Sequence, residues 1–304
     1  MAAAETAEAP KYKDGQIIPK EVTDKQGQRE AVIPKWMQKD APIPEHVKQL
    51  QCEKIELPFN YCKDGRWCVR IKDVLTKAEC DELIKFSEEQ GYEDALVNIG
   101  YGRQQKMPEF RNCKRMMIDS VEMATCLWNR VQQFIPTYFN DRRKIEFNER
   151  LRFLRYNKKE FFAPHFDGVY RRPTGELSQI TLLLYLNNDF KGARTNFIDM
   201  DDDQCYHAPV ITPGMMILFQ HDMFHEGAVL EDGCKYIMRS DVMFTKKKYS
   251  AKRQAEDKEN VAIPYVKYEG LVVQKFGQEQ QENDEQQNGK DDEESKQDEE
   301  DNDK

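Results

Sequence analysis

The chain has no run of about 18 apolar residues, the length a membrane-crossing helix needs. Its first residues, MAAAETAEAPKYKDGQ, lack the apolar stretch of a secretory signal, and its last four, DNDK, are not an endoplasmic-reticulum retention signal. Cysteine is present at 52, 62, 68, 80, 113, 126, 205 and 234, but no two form a CxxC pair and the spacing is irregular. That points to neither a cysteine zinc site nor a disulfide framework, so a reducing compartment, cytosol or nucleus, is the expected setting. Internal repeats are absent too. Histidine is scarce, with five in 304 residues, so any histidine chemistry must draw on very few positions.

Acid is not evenly spread. Residues 277–304 carry 13 Asp/Glu against 3 Lys, a net of −10, so a chain total of −9 leaves the other residues near +1. The acidic balance therefore describes a tail. With nothing apolar to bury, 277–304 is expected to be a disordered, solubilising appendage, with docking to a basic partner as the sharper alternative. A body near +1 with no basic, aromatic-lined stretch argues against nucleic acid as partner. KKKYSAKR (246–253) reads first as a solvated basic face and second as a nuclear-import patch.

The chain is long enough for one substantial core. Residues 1–69 are expected to form a mostly extended arm, rich in Pro, Lys, Glu and Gln over 1–55. A helical support region, 70–138, follows. There Thr76 and Glu79 make a capping box, with Cys80, Leu83, Ile84 and Ser87 on one stripe and Gly91 as the stop. A second helix is expected from about Asp119, boxed by Glu122, with Ala124, Leu127, Trp128, Val131 and Ile135 inward and Pro136 as its end. Between them RNCKRMMI should lead into a short strand. From 139 to 248 the texture becomes short apolar runs at 150–156, 179–187, 195–200, 208–212, 215–220, 226–230 and 235–244, split by turn signals. Helices first and strands after predict an α+β unit whose helices buttress a jelly roll. Residues 249–276 form a C-terminal extension before the tail.

The chemistry centres on APHFDG. On an extended segment, residues two apart share a face, so His165 and Asp167 can point the same way. Two ligands hold a transition metal poorly. Of the other histidines, His46 lies in the arm, while His207 and His221 read as solvent-exposed turn residues. His225, followed by Glu226 and Gly227 ahead of the last long strand, completes HxD…H with 57 residues between Asp167 and His225. Two imidazoles and one carboxylate with three open positions are the ligand set of non-haem Fe(II) oxygenases. An open site of that kind accepts a bidentate keto acid and dioxygen, and a distal carboxylate on the acid would want a buried cation. Lys235, ten residues past His225, is one candidate. Arg239 shares its strand face, so alternation alone does not choose. Tyr156, Thr181 and Tyr185 share an inward parity and could offer hydroxyls to the same anion. Arg111, Asn112, Lys114 and Arg115 read equally as a substrate groove or a solvated face, and the acidic run at 199–204 as a solvated hairpin tip.

The stretch LRYNKKEFFAPHFDG…SQITLLLYLNNDFKGARTNF…TPGMMILFQHDMFHEG…GCKYIMRSDVMF resembles the 2-oxoglutarate/Fe(II) dioxygenase superfamily in its prolyl 4-hydroxylase-like branch, over roughly 149–246. DVLTKAECDELIKFSEEQGY resembles the helical support that precedes the barrel in that branch. The resemblance implies a double-stranded β-helix, with His165, Asp167 and His225 as catalytic iron ligands and Lys235 on the distal carboxylate of the cosubstrate. It implies Tyr156 lining the cosubstrate pocket, and Thr181 and Tyr185 facing it. It further implies dioxygen as co-reactant, 2-oxoglutarate turned to succinate and carbon dioxide, and ascorbate as an accessory. One departure stands out: many members carry a double glycine where this chain has Gly192-Ala193-Arg194, which bears on substrate preference more than on iron.

The branch makes a peptidyl proline, in a peptide or protein substrate, the first expectation. The alternatives are the same chemistry on a free amino acid, another small molecule or another protein side chain, and a binding module without catalysis.

Overall fold

The computed structural model describes residues 32–257 apart from 39, 64, 101 and 102, together with the backbone of 266–267 and 273–275. The tail expected to be disordered, 277–304, lies outside the described residues, as does 1–31.

The main elements in chain order are β1 (Cys52–Lys54), β2 (Cys68–Ile71), α1 (Lys77–Gln90), β3 (Lys114–Asp119), α2 (Val121–Val131), β4 (Arg142–Phe147) and β5 (Arg150–Tyr156). They continue with β6 (Phe162–His165), β7 (Leu177–Tyr185), β8 (Thr195–Ile198), β9 (Cys205–His207), β10 (Met216–Gln220), β11 (His225–Gly227), β12 (Leu230–Asp232) and β13 (Lys235–Lys248). Sheet dominates and helices are few. The larger sheet runs β1-β2-β10-β7-β13-β5-β3, with β4 pairing the far half of β13; the smaller runs β6-β11-β8-β9. Two-residue strands extend the larger sheet, and the strand Val273–Lys275 extends the smaller beyond β9.

The larger sheet is covered on both faces, and the sequence says so through a run apolar at almost every position. In β7, Ile180, Leu182 and Leu184 enter one core with Leu83 and Phe86 of α1 and Leu127, Trp128 and Val131 of α2. Leu183 and Tyr185 enter a second core with Phe197 of β8, Met223 and Leu230. Three layers result: helices, large sheet, small sheet. This is consistent with the expected jelly roll, and the site lies between the two sheets.

Several local expectations need correction. α2 starts at Val121 behind a Ser120 cap, whose hydroxyl accepts from the Met123 N–H at 3.2 Å, so no box forms with Glu122. Asp119 is drawn away because its carboxylate takes both Arg150 nitrogens, at 2.7 and 2.8 Å, at the end of β3. Residues 208–212 form no strand. Pro209 within the run and Pro213 just after it lack N–H donors, and Val210 is exposed. The run 226–230 is split between β11 and β12, because the Ala228 N–H turns to the Arg194 carbonyl at 2.9 Å. The described end of the arm folds onto the body, burying Met37, Val47, Cys52 and Ile55.

Candidate metal centre

β6 and β11 pair antiparallel, and their register sets His165 directly opposite His225, after an irregularity between Phe162 and His165. The imidazole centroids are 4.4 Å apart. Past β6 the Asp167 N–H donates to the His221 carbonyl at 3.1 Å, which folds Asp167 back toward the same space. Its two carboxylate oxygens each stand 3.8 Å from one imidazole Nε2, Oδ1 from His165 and Oδ2 from His225. One donor atom from each of the three residues lies within 4.8 Å of the others.

The ring orientations are fixed from behind. Nδ1 of His165 donates to the Ala163 carbonyl at 2.8 Å and Nδ1 of His225 to the Met223 carbonyl at 2.9 Å, in each case the residue two before. A proton held on Nδ1 leaves the Nε2 lone pair free and aimed at Asp167, the arrangement a metal-ligating histidine needs. Burial, and then the neighbouring His225, push His165 down to about 3; burial lowers His225 as well. Both imidazoles are therefore neutral near pH 7, as ligands must be. Burial pushes the Asp167 carboxyl up, but Arg239 and then His225 and His165 outweigh it and hold the group ionised. Two neutral imidazoles and an anionic oxygen on one side of a pocket suit a divalent transition metal with positions left for other ligands.

Asp167 is itself clamped. Arg239 Nη2 donates to Oδ1 at 2.6 Å and the Thr181 hydroxyl to Oδ2 at 2.5 Å. The Thr181 oxygen is 2.9 Å from His221 Nδ1, and His221 Nε2 is 2.8 Å from the Ser178 hydroxyl, which accepts from the Tyr170 N–H. With Nδ1–H donating and Nε2 accepting, every link in this chain has one donor and one acceptor.

Lys235 opens β13, directly opposite Tyr156 of β5, and is 1% exposed. Its ammonium donates to the Ala193 carbonyl and sits 5.6 Å from the Tyr156 ring, 5.6 Å from the Tyr185 ring and 5.8 Å from the Phe190 ring. Among the described residues no carboxylate pairs with it, and burial drops its pKa to about 7. A buried ammonium lined by rings and one carbonyl lacks the anion that would compensate its lost hydration. Arg239, the rival cation by strand parity, is committed to Asp167.

Other residues sit differently from the sequence reading. Thr181 hydrogen-bonds the Asp167 carboxylate and His221, and the Tyr185 hydroxyl donates to Thr195 Oγ1 at 2.9 Å, so both hydroxyls have partners within the protein. His221 and His207, read as exposed turn residues, are 5% and 0% exposed. His207 belongs to β9, paired with Phe197, and His221 fills the gap behind Thr181. Asn112 binds the backbone of Phe161 and Lys159, and Lys114 pairs with Asp94. What sequence reasoning missed was the Asp167 clamp. Its only available signal was alternation along TLLLY and MRSD, which puts Thr181 and Arg239 on inward faces.

Residues 151–240 match the sequence model of the 2OG-Fe(II) oxygenase superfamily. Prolyl 4-hydroxylase 1 of Arabidopsis thaliana is 24% identical over 157 residues, which are 50% of this chain and 54% of that protein. The chain thus spans about half the length of the curated relative it matches. Among solved structures, a viral collagen prolyl hydroxylase from Paramecium Bursaria Chlorella virus-1, in its 2OG complex, is 18% identical with a TM-score of 0.43, covering 60% of this chain and 98% of that one. A prolyl hydroxylase from Trichoplax adhaerens, in complex with a hypoxia inducible factor oxygen degradation domain peptide fragment, is 13% identical with a TM-score of 0.47, covering 65% and 90%.

Proposed function

We propose that this chain, a member of the 2OG-Fe(II) oxygenase superfamily through residues 151–240, is a 2-oxoglutarate-dependent dioxygenase that hydroxylates a peptidyl proline. The observation that carries the reaction class is the convergence of His165, Asp167 and His225 with both Nδ1 atoms tied back to carbonyls. His165 and His225 would hold a ferrous ion through Nε2 and Asp167 through a carboxylate oxygen. That ion, when bound, supplies the coupled oxidation of 2-oxoglutarate to succinate and carbon dioxide and of a substrate C–H bond to an alcohol by dioxygen.

The protein's own residues orient and exclude. Lys235 would take the distal carboxylate of 2-oxoglutarate, converting an uncompensated buried cation into an ion pair. Tyr156, across the strand from it, would wall the cosubstrate. Arg239 helps keep Asp167 ionised, and Arg239 and Thr181 together fix its rotation, so that the ligand set is preorganised before metal arrives. The double-stranded β-helix topology and the supporting role of α1 and α2 belong to the same reading.

Proline in a peptide rests on the branch resemblance and on the rim of the site. Phe166, next to Asp167, is 45% exposed, and Val169 and Tyr170 follow it into solvent. An apolar rim standing open beside the ligands suits a chain-like substrate better than a small molecule enclosed on all sides.

The test is anaerobic reconstitution with Fe(II), then admission of air with 2-oxoglutarate, ascorbate and a panel of proline-containing peptides, following succinate and peptide mass. Wild type should form succinate and add one oxygen to a peptide. His165→Ala should form none while keeping its circular dichroism. Succinate formation that survives His165→Ala would exclude this ligand set.

A further inference from the structure

The inner face of β3 carries more positive charge than the metal site uses. Arg115 of β3 pairs with Leu154, a member of the inner core, and so faces the gap between the sheets, while Arg111, ahead of the strand, bridges to Phe162 of β6. Arg115 lies opposite Leu154 of β5, one diagonal step from Arg152. It is 5% exposed, yet among the described residues its guanidinium bonds only the side-chain oxygen of Gln104, at 3.2 Å, and its Nε has no partner. Arg111 reaches the Cys113 sulfur at 3.3 Å, and its guanidinium lies 4.4 Å from the centre of the Phe162 ring. Phe162 in turn stacks on His165 at 3.7 Å. Arg111 is thus one ring removed from a candidate metal ligand.

Every other arginine on this wall has a carboxylate: Arg150 has Asp119, Arg152 has Asp241, and Arg239 has Asp167. Arg111 and Arg115 have none among the described residues. Burial and then the charge of Arg111 push Arg115 down to about 10, with Glu93 opposing and Arg152 adding to the fall. Buried or half-buried guanidinium groups with no ion-paired carboxylate are sites for a planar anion.

We propose that Arg111 and Arg115, with Arg152 beside them, form a subsite for a carboxylate side chain of an acidic peptide substrate, bound next to the metal centre. The inference deepens the dioxygenase reading by naming a substrate class and rests on that reading for the reaction, though not for binding. A carboxylate fits better than a nucleic-acid backbone because the same wall carries Asp119, Asp241 and, at the edge opposite Arg115, Glu93. Such interleaved acids tolerate one point anion but repel a row of phosphates.

The experiment uses the full chain, without and with anaerobic Fe(II) and 2-oxoglutarate, and reads fluorescence anisotropy of three probes. These are a proline peptide flanked by glutamates, its glutamine isostere and a single-stranded oligonucleotide. Wild type should bind the acidic peptide about tenfold tighter than the isostere, with the gap narrowing as salt rises. Arg111→Gln and Arg115→Gln should each collapse that preference and leave 2-oxoglutarate affinity unchanged. Arg111 is the less buried of the two, so its variant stands if Arg115→Gln fails to fold. Equal or absent binding of the two peptides by wild type, a preference that survives in the variants, or tighter oligonucleotide binding would overturn the subsite. So would loss of 2-oxoglutarate affinity in the variants, which would assign the arginines to the cosubstrate. A wild type that takes no Fe(II) or 2-oxoglutarate but still prefers the acidic peptide would sink the dioxygenase reading and leave the subsite standing.

Discussion

At the scale of single residues, Lys235 is the most exposed to test, because its burial has a thermodynamic signature independent of activity. Its folded pKa of about 7 lies below the ordinary value of 10.5. Between those two pH values the unfolded chain binds more protons than the folded one, so stability rises with pH across the window; below pH 7 the full cost of the buried ammonium is present. Lys235→Met keeps the volume and removes the charge. In thermal melts of metal-free protein the variant should be more stable than wild type below pH 7, by on the order of a few kcal/mol, with the difference fading toward pH 10.5. It should also lose 2-oxoglutarate binding. A variant less stable than wild type at pH 6 would mean the ammonium already has a counter-charge. The residues that surround this position divide by legibility. HxD and the later histidine are readable because they are few and specially spaced, whereas Thr181 and Arg239 are ordinary strand residues whose contact with Asp167 depends on the register of β7 against β13. His221 departs from expectation because a histidine just past the end of an apolar strand reads as a turn residue open to solvent. Only the third dimension puts Ser178 and Thr181 on its two nitrogens.

Elements were legible in proportion to how local their causes are. The capping box of α1 forms as written, with the Glu79 carboxylate accepting from the Thr76 N–H at 2.7 Å, and it reaches further than a box requires: Arg130 of α2, 1% exposed, donates to the same carboxylate at 2.7 Å. The run RLRFLRY is β5 residue for residue. α2 and the 226–230 run departed from the sequence pattern because partners distant in sequence, Arg150 and Arg194, claimed the groups involved. The TPG turn before β10 shows a close approach that the sequence only hints at. Gly214 has φ +79, its N–H donates to Tyr185, its carbonyl accepts from Leu75, and a Cβ built on it would lie 1.9 Å from the Leu75 carbonyl oxygen. Gly214→Ala should therefore destabilise the fold by roughly 3 kcal/mol or more, combining left-handed strain with a backbone clash. Chemical denaturation would read this as a lower midpoint. An unchanged midpoint would mean that β2, β7 and β10 are not joined at this turn as described.

Across the whole molecule, the three-layer plan explains why one strand can serve both stability and chemistry. β7 gives Ile180, Leu182 and Leu184 to the helices and Thr181, Leu183 and Tyr185 to the site side, so the apolar run that reads as plain core also carries a residue holding Asp167. The predominance of sheet followed from the many short apolar runs after 139. The fold of 32–55 onto the body did not, because a Pro- and Lys-rich segment with a few isolated apolar residues gives no periodic signal; Met37, Val47, Cys52 and Ile55 anchor it. No helix among the described residues is long and apolar enough to cross a membrane. The account as a whole stands on one ferrous ion shared by side chains from β6, the turn after it and β11. Diffraction from anaerobic crystals soaked with Fe(II) and 2-oxoglutarate, recorded at the iron absorption edge, tests it most directly. One anomalous peak about 2.0–2.2 Å from Nε2 of both His165 and His225 and from an Asp167 oxygen, with the keto acid's far carboxylate on Lys235, is the predicted result. A peak elsewhere, or none in crystals that diffract well, would contradict it.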